Sequence, residues 1–452
     1  MITVTTTIEA ARGRIIGSLA WHAGSYAMAA ACVKGLGFLL FVWLARVLSV
    51  EEYAKFGILY GAQTGVAAFA QAGILECAIG QLQRYQSARA RSELFGALIG
   101  IFLLCGTLSA GVVVCGYSLA TQVFSLRELY LFALAAGVGL LTAFGALEAG
   151  FLRLEERHEA ALAWSSFFPA MTYVGGALVC LAAPSAGAFF AGGLGGVLLG
   201  FGIALRRGMG WFGVRRPATV VDHWPQLVAP YLVVAIVGWL SGYGANGLIR
   251  ALTSTEEVAR YTFLFTLASI PQLLATSMNQ VWSPRFYRII HELPPIEVER
   301  RNRRFFLWQG LALGVCGTCL LLAYVFGLEF VGGHVNAYKG LGYGLTLLAG
   351  SYIVSIPWWH AQNYFFVHSQ GRLLMRITIH AGVVGFALWA ALIVWYGSAG
   401  LYLGFAVQVA IRSLWIWVVA HRRWGIRFPW QGILAGSAGL LSTCALLTWW
   451  RG

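Results

Sequence analysis

Charge is scarce in this chain. Of its 452 residues 11% are Asp, Glu, Lys or Arg while 59% are hydrophobic, and the mean hydropathy is +0.73. A water-soluble domain, with about 25% charged residues, is excluded. Aspartate is almost missing, Asp222 being the single one. That disfavours a metal-dependent enzyme built on paired aspartates, and no catalytic, metal or cofactor constellation is predicted. The eight cysteines are scattered, mostly in apolar runs, so no secreted disulfide framework is implied. One CxxC occurs, Cys316 to Cys319, in an apolar segment without a second ligand pair, and it reads as small-residue helix packing. The short alternating segments of a transmembrane barrel are absent. Met1 to Arg14 is polar, and no small-residue cleavage site follows it, so no removable signal peptide is read.

What the chain does have is apolar runs of about 18 residues or more, each able to cross a hydrocarbon layer roughly 30 Å thick as a helix. Spans are predicted near 15–45, 53–80, 93–119, 129–152, 159–182, 185–205, 226–250, 258–284, 304–328, 340–367, 373–397, 399–420 and 429–450. The fold class is therefore an all-α polytopic membrane protein, with about 12 core transmembrane helices and one extra. The net charge of +14 raises the question of nucleic acid, but the placement of the arginines answers it. With these spans most Lys and Arg fall on one side, and the other receives only Arg46, Lys55, Arg127, Arg250, Arg260, Lys339 and Arg451. This is the positive-inside pattern with a cytoplasmic N-terminus, and no nucleic-acid partner is predicted.

The chain also repeats itself. Arg46 Val47 Leu48 Ser49 Val50 Glu51 Glu52 Tyr53 follows the first span, and Arg250 Ala251 Leu252 Thr253 Ser254 Thr255 Glu256 Glu257 follows the seventh. Six spans separate the copies, so the halves are predicted to be parallel repeats around a central cavity. The implied organisation is a cytoplasmic segment 1–14, a six-helix lobe 15–205, a basic linker 206–225 with Gly and Pro, a second lobe 226–420, and a basic loop with an extra helix over 421–452. Such a linker permits two rigid lobes to rock. Pro169, Pro230, Pro271 and Pro357 fall inside spans and are expected to kink them.

The run Ala45 to Gly57 after a long first helix, followed by Gly73 Ile74, resembles the Wzx-type polysaccharide flippases. These belong to the superfamily that also holds MATE exporters and MurJ-type lipid II flippases. The specific motif covers about the first 85 residues, and the span architecture extends the likeness over nearly the whole chain. The resemblance implies a non-enzymatic flippase in a bacterial inner membrane. It would move an undecaprenyl-pyrophosphate-linked oligosaccharide from the cytoplasmic to the periplasmic leaflet for O-antigen, lipopolysaccharide or exopolysaccharide synthesis. Membrane lipids, a polysaccharide polymerase and other assembly proteins are the implied partners.

Charges deep in a membrane span are costly and therefore informative. Lys34 lies about 18 Å below Arg46 at a 1.5 Å helical rise, which makes it a cavity-facing cation suited to pyrophosphate or acidic sugar, or else a partner for Glu76. Arg412 is similarly deep. Arg46 and Arg250 hold equivalent positions at outer helix ends, each followed by a Glu pair, and read as snorkelling anchors or as an outer gate. Glu76 and Glu148 are candidates for ion coupling, although Glu148 has Arg153 as a simpler partner. His22, His360 and His380 would titrate usefully only if they faced the cavity. Trp358, Trp359, Asn363 and Tyr364 combine flat apolar faces with polar edges, as sugar stacking requires, although aromatics are also common in membrane helices. Two other functions compete. A membrane-embedded polymerase or ligase needs larger outer loops than this chain has. A cation-coupled drug exporter of the MATE type is expected to carry acids where Lys34 stands.

Overall fold

In a bilayer every backbone N–H and C=O must find its partner within the chain, and a sequence this apolar satisfies that rule with helices. The computed structural model describes residues 32–81, 87–121, 125–155, 157–206, 224–368 and 370–451, and among these there is no strand. Segment 1–14, His22, the linker over 207–223 and the side chains of Glu76 and Pro230 lie outside the described residues. The helices are α1 (32–47), α2 (Val50–Gln71), α3 (Ile74–Gln81), α4 (Ala88–Thr121), α5 (Leu126–Leu154), α6 (His158–Ala182), α7 (Ala186–Arg206), α8 (Trp224–Leu240), α9 (Ala245–Leu252), α10 (Thr255–Glu292), α11 (Pro295–Val331), α12 (Gly342–Val354), α13 (Ile356–Val367), α14 (Gly371–Trp424) and α15 (Trp430–Arg451).

Among the described residues eight helices are each long and apolar enough to cross a membrane, or nine with α8 and α9 taken as one span bent by 43°. Of the first predicted span, 15–45, only the part from residue 32 is described, and the other differences from the thirteen predicted spans have physical causes. The second span breaks at Gly73, whose φ of +73° only glycine adopts readily. The seventh breaks over Ser241 to Gly244, and the tenth at Ser355, just before Pro357 in the first turn of α13. In the opposite sense α14 is two antiparallel spans joined at Gly397 (φ +56°). Pro357 thus marks a break as expected. Pro169 and Pro271 do not, for α6 and α10 run on through them. Membrane helices tolerate proline where neighbouring groups satisfy the carbonyl it frees.

Helices α2 to α7 pack mainly among themselves, as do α8 to α15. The chief contacts between the groups run from α2, α3 and α4 to α8, α9 and α10. Helices α2 and α10 begin alike. Ser49 accepts a hydrogen bond from the Glu52 N–H at 3.3 Å, and Ser254 accepts one from the Glu257 N–H at 3.3 Å. Each serine therefore caps a helix whose third residue is Glu. Glu51 and Glu52 both reach Lys55 at 3.2 Å, and Glu256 and Glu257 reach Arg260 at 2.5 and 2.7 Å. Glu52 also accepts from the Ala186 N–H at 2.8 Å, tying the start of α2 to the start of α7. Ser254→Ala is expected to lower stability by about 1 kcal/mol, the usual worth of such a cap, read as a lower unfolding temperature in detergent. An unchanged temperature would mean that tertiary packing, not the cap, holds this helix start.

The extra helix α15 is a packed part of the second group. Gly310, Gly314 and Gly317 on α11 face Gly432, Gly436 and Leu440 on α15, so that the two backbones nearly touch. A Cβ on Gly314 would stand 2.6 Å from the carbonyl oxygen of Gly436. Small residues allow this approach, and dispersion between closely packed helices then holds them together. Gly310→Leu, which would strike the backbone of Gly432, is expected to cost about 1 to 3 kcal/mol or more and to loosen α15. Gly327→Leu on the same helix, with nothing within 4 Å, should be tolerated. Equal unfolding temperatures for the two variants would disprove the contact. All eight cysteines are free thiols, Cys316 and Cys319 included.

Candidate functional site

Two ends of the molecule have different characters. One carries Arg285, Arg288, Arg300 to Arg304, Arg372, Arg376 and Arg422 to Arg427 around its helix ends, and is here termed the basic end. At the other end α1 and α9 finish while α2 and α10 begin, and there the two helix groups close on each other in a seam.

The seam is built on a stripe of glycines. Gly57, Gly61 and Gly65 recur every fourth residue and so share one face of α2. Gly57 is pressed against Thr262, Gly61 against the Tyr243 carbonyl and the Tyr117 hydroxyl, and Gly65 against the Trp239 ring. Missing side chains let polar groups of the second group reach the α2 backbone. Asn246 Nδ2 donates to the Gly57 carbonyl at 2.7 Å and Trp239 Nε1 to the Gly61 carbonyl at 2.8 Å. Tyr117 Oη returns the favour, donating to the carbonyls of Tyr243 and Gly244, both at 3.2 Å. Edge-on ring pairs Tyr60–Tyr243 at 4.7 Å and Phe69–Trp239 at 5.1 Å fill the remainder. Away from the seam the burial lapses: α10 is buried from Glu257 to Ala268 apart from Arg260, and then exposes Gln272, Ser277, Gln280 and Val281.

The seam is not fully satisfied. Asn246 Oδ1 and Thr262 Oγ1 are buried there without hydrogen-bond partners among the described residues. Each such atom costs about 1 to 3 kcal/mol, comparable to the roughly 0.5 to 1.5 kcal/mol net from a bond that is made. These orphan atoms offset part of what the seam's hydrogen bonds contribute.

At the break in the seventh span stands Arg412. Its Nη1 donates to Ser241 Oγ at 3.3 Å, and its guanidinium carbon lies 5.0 Å from the centre of the Trp358 ring. Ser241 Oγ in turn donates a hydrogen bond to the Val237 carbonyl at 2.8 Å. No carboxylate among the described residues comes within 4.0 Å of Arg412, so its charge is held by a hydroxyl and an aromatic face alone. It sits 12 residues from the basic end of α14, roughly 18 Å at 1.5 Å per residue, which is mid-membrane depth. One turn earlier Gln408, 1% exposed, has a buried Nε2 without a partner among the described residues.

The other predicted residues are distributed as follows. Trp358 serves Arg412. Trp359 Nε1 donates to Ser355 Oγ at 3.2 Å across the α12–α13 break. Asn363 accepts from Ser283 at 2.8 Å and donates to Asn279 Oδ1 at 3.3 Å, while Tyr364 accepts from Asn302 at 3.4 Å and packs on Phe286 at 4.9 Å. This is a part-buried network fastening α13 to α10 and α11. Lys34 is exposed on α1, with no carboxylate within 4.0 Å among the described residues. Arg46 is exposed and abuts Gly333 of the second group. Neither Arg46 nor Arg250 pairs with the Glu residues that follow it, because Lys55 and Arg260, one helical turn on, occupy them. Glu148 is fully buried. His360 is buried against Phe306 at 4.7 Å, and His380 is exposed. The glycine stripe, Trp239, Asn246 and Asn279 were not singled out from sequence. Only the stripe left a signal, its four-residue spacing.

Comparison with known proteins adds the family. The family described as "Polysaccharide biosynthesis protein" matches residues 20–290. No curated protein matches the chain. Among solved structures, an inward-facing multidrug resistance MATE family transporter of the MOP superfamily is 10% identical, with 86% of this chain and 94% of that one covered and a TM-score of 0.66. The eukaryotic MATE transporter AtDTX14 is 11% identical over 94% and 99%, with a TM-score of 0.55. A Vibrio cholerae MATE transporter is 12% identical over 92% and 99%, with a TM-score of 0.50. At these identities the likeness shows the fold alone, a multi-pass helical membrane fold shared with these transporters. The chain, with more than half its length matched, belongs to the polysaccharide biosynthesis protein family.

Proposed function

We propose that this chain is a flippase that carries a lipid-linked oligosaccharide across a bacterial inner membrane by alternating access. The lipid is an undecaprenyl pyrophosphate, loaded at the basic, cytoplasmic end and released at the seam end into the periplasmic leaflet for O-antigen, lipopolysaccharide or exopolysaccharide assembly. The observation that carries this reading is Arg412, a mid-depth guanidinium without a carboxylate partner among the described residues. A planar fork of donors matches a phosphate bidentately, and low dielectric strengthens the pairing. Lys34, at similar depth on the first helix, supplies a second cation of the same use. The closed seam supports a resting state that receives substrate from the basic end, with opening of the seam completing the cycle.

The test is transport in vesicles containing the purified protein and a fluorescent polyprenyl-pyrophosphate oligosaccharide, followed by lectin accessibility of the glycan. Protein-dependent exposure is expected. A MATE-type exporter, the second reading that the fold favours, would instead accumulate a cationic dye and leave the glycan lipid in place. Lys34→Ala is expected to slow glycan transport several-fold without altering insertion, and Lys34→Arg to restore part of it. Transport by Lys34→Ala at the wild-type rate would remove Lys34 from the site.

A further inference from the structure

The second helix group contains a cavity that the transport reading does not use. It lies at the basic end, among the α10–α11 turn, the ends of α13 and α14, and the start of α15, and its volume is about 810 Å³. That falls within the roughly 300 to 1,000 Å³ typical of ligand pockets. Its walls are aromatic, with Phe306, Tyr364, Trp417, Trp424 and Phe428 among them. Trp417 Nε1 is a buried donor with no partner among the described residues, and His360, also in the lining, is 6% exposed. The mouth is cationic. Arg303 is steered by a neutral group, donating from Nε to Gln431 Oε1 at 2.7 Å, so its charge is not cancelled. Arg427 meets Glu299 at 3.0 Å, a pair exposed at 77% and 39% and hence easily exchanged for another anion. Among the described residues Glu299 is the only carboxylate lining the cavity, against two arginines and three histidines.

Aromatic walls beneath a cationic rim, at the level where helices leave the membrane, suit a molecule that is apolar at one end and anionic at the other. We propose that this cavity seats the headgroup of an anionic phospholipid of the basic-side leaflet. The phosphate lies between Arg303 and Arg427, and the glycerol with the first methylenes lies against Trp417, Trp424 and Phe428. Bound there, the lipid joins α11, α14 and α15 at their basic ends. The site is separate from Arg412 and does not depend on what is transported.

The full-length protein in neutral detergent is titrated with short-chain phosphatidylglycerol, short-chain phosphatidylcholine or inorganic phosphate, and its unfolding temperature is followed. Phosphatidylglycerol is expected to raise it saturably, and the other two to leave it unchanged. The double variant Arg303→Gln, Arg427→Gln should weaken the apparent affinity at least ten-fold. Both arginines are exposed, so folding is not at risk, and native mass spectrometry should count one retained phosphatidylglycerol fewer per molecule. An equal response to phosphatidylcholine would reduce the cavity to a detergent-like apolar site. Saturation by phosphate alone would make it a site for a soluble anion. Undiminished phosphatidylglycerol binding by the double variant would likewise overturn the assignment.

Discussion

Replacing Arg412 by methionine is expected to slow transport at low substrate concentration by roughly 10- to 150-fold while leaving the protein as stable as before, or more so. Placing an arginine at the middle of a membrane helix costs about 2.5 to 3.5 kcal/mol on insertion scales. What it gains here is one 3.3 Å hydrogen bond to Ser241 and the face of Trp358 at 5.0 Å. A cation over an aromatic ring is worth about 0.5 to 2 kcal/mol, and the hydrogen bond about 1.5 to 3 kcal/mol when charged. The two sides nearly cancel, so stability alone gives little reason for this residue. Methionine fills the same volume without charge, and Ser241 keeps its bond to Val237. A phosphate held by the guanidinium would lose about 1.5 to 3 kcal/mol, or roughly 10- to 150-fold in apparent affinity. Arg412→Lys keeps the charge but not the fork, and should fall between. Thermal unfolding and glycan transport, measured on the same preparations, separate the accounts. Wild-type transport by Arg412→Met, or a large loss of stability with transport per folded molecule intact, would make Arg412 a structural residue.

The residues whose meaning is local were legible in the sequence. Ser49 with Glu52 and Ser254 with Glu257 have the spacing of a capping box, and in the structure each serine makes its half of it, while the glutamate carboxylates turn to Lys55 and Arg260 instead. The same spacing rule, applied one turn further, would have assigned the glutamate pairs to Lys55 and Arg260 instead of to Arg46 and Arg250. The depth of Arg412 followed from counting along a helix. Its neighbours did not, because Ser241 lies 171 residues away and only packing brings α8 to α14. Likewise Asn363 and Tyr364 had the chemistry of a sugar site, yet Ser283, Asn279 and Asn302 from two other helices occupy their polar edges. The breaks in the second and seventh spans were hidden for a different reason. Hydropathy averages over about 19 residues, and a gap of two to four residues inside such a window leaves no trace.

Gly61→Leu is expected to hold the seam open and reduce transport below detection, although it adds only a hydrocarbon side chain to an apolar helix. The three stripe positions differ in what they face. At Gly57 a new Cβ would meet the side chain of buried Thr262, pressed on Oγ1 and 3.0 Å from Cβ, a side-chain rather than a backbone clash. At Gly61 a Cβ would lie 2.6 Å from the carbonyl oxygen of Tyr243, and that oxygen belongs to the backbone at the break between α8 and α9, where it already accepts from Tyr117. Relief requires moving one helix group away from the other, which also breaks the Trp239 bond to the Gly61 carbonyl. Overpacking of about 1 to 3 kcal/mol, added to about 0.5 to 1.5 kcal/mol for the lost bond, would shift the closure equilibrium by more than ten-fold, since 1.4 kcal/mol is a factor of ten. Trp239→Phe removes only the indole donor and should shift it by a smaller factor. Gly111→Leu, on α4 with nothing within 4 Å, should change nothing. Spin labels at the exposed Leu126 and His334, one on each group at the seam end, report the separation in bilayers. A long distance is expected to dominate in Gly61→Leu and a short one in the wild type and in Gly111→Leu. If Gly61→Leu keeps the short distance and still transports, the glycine stripe is ordinary packing and the gate must lie elsewhere.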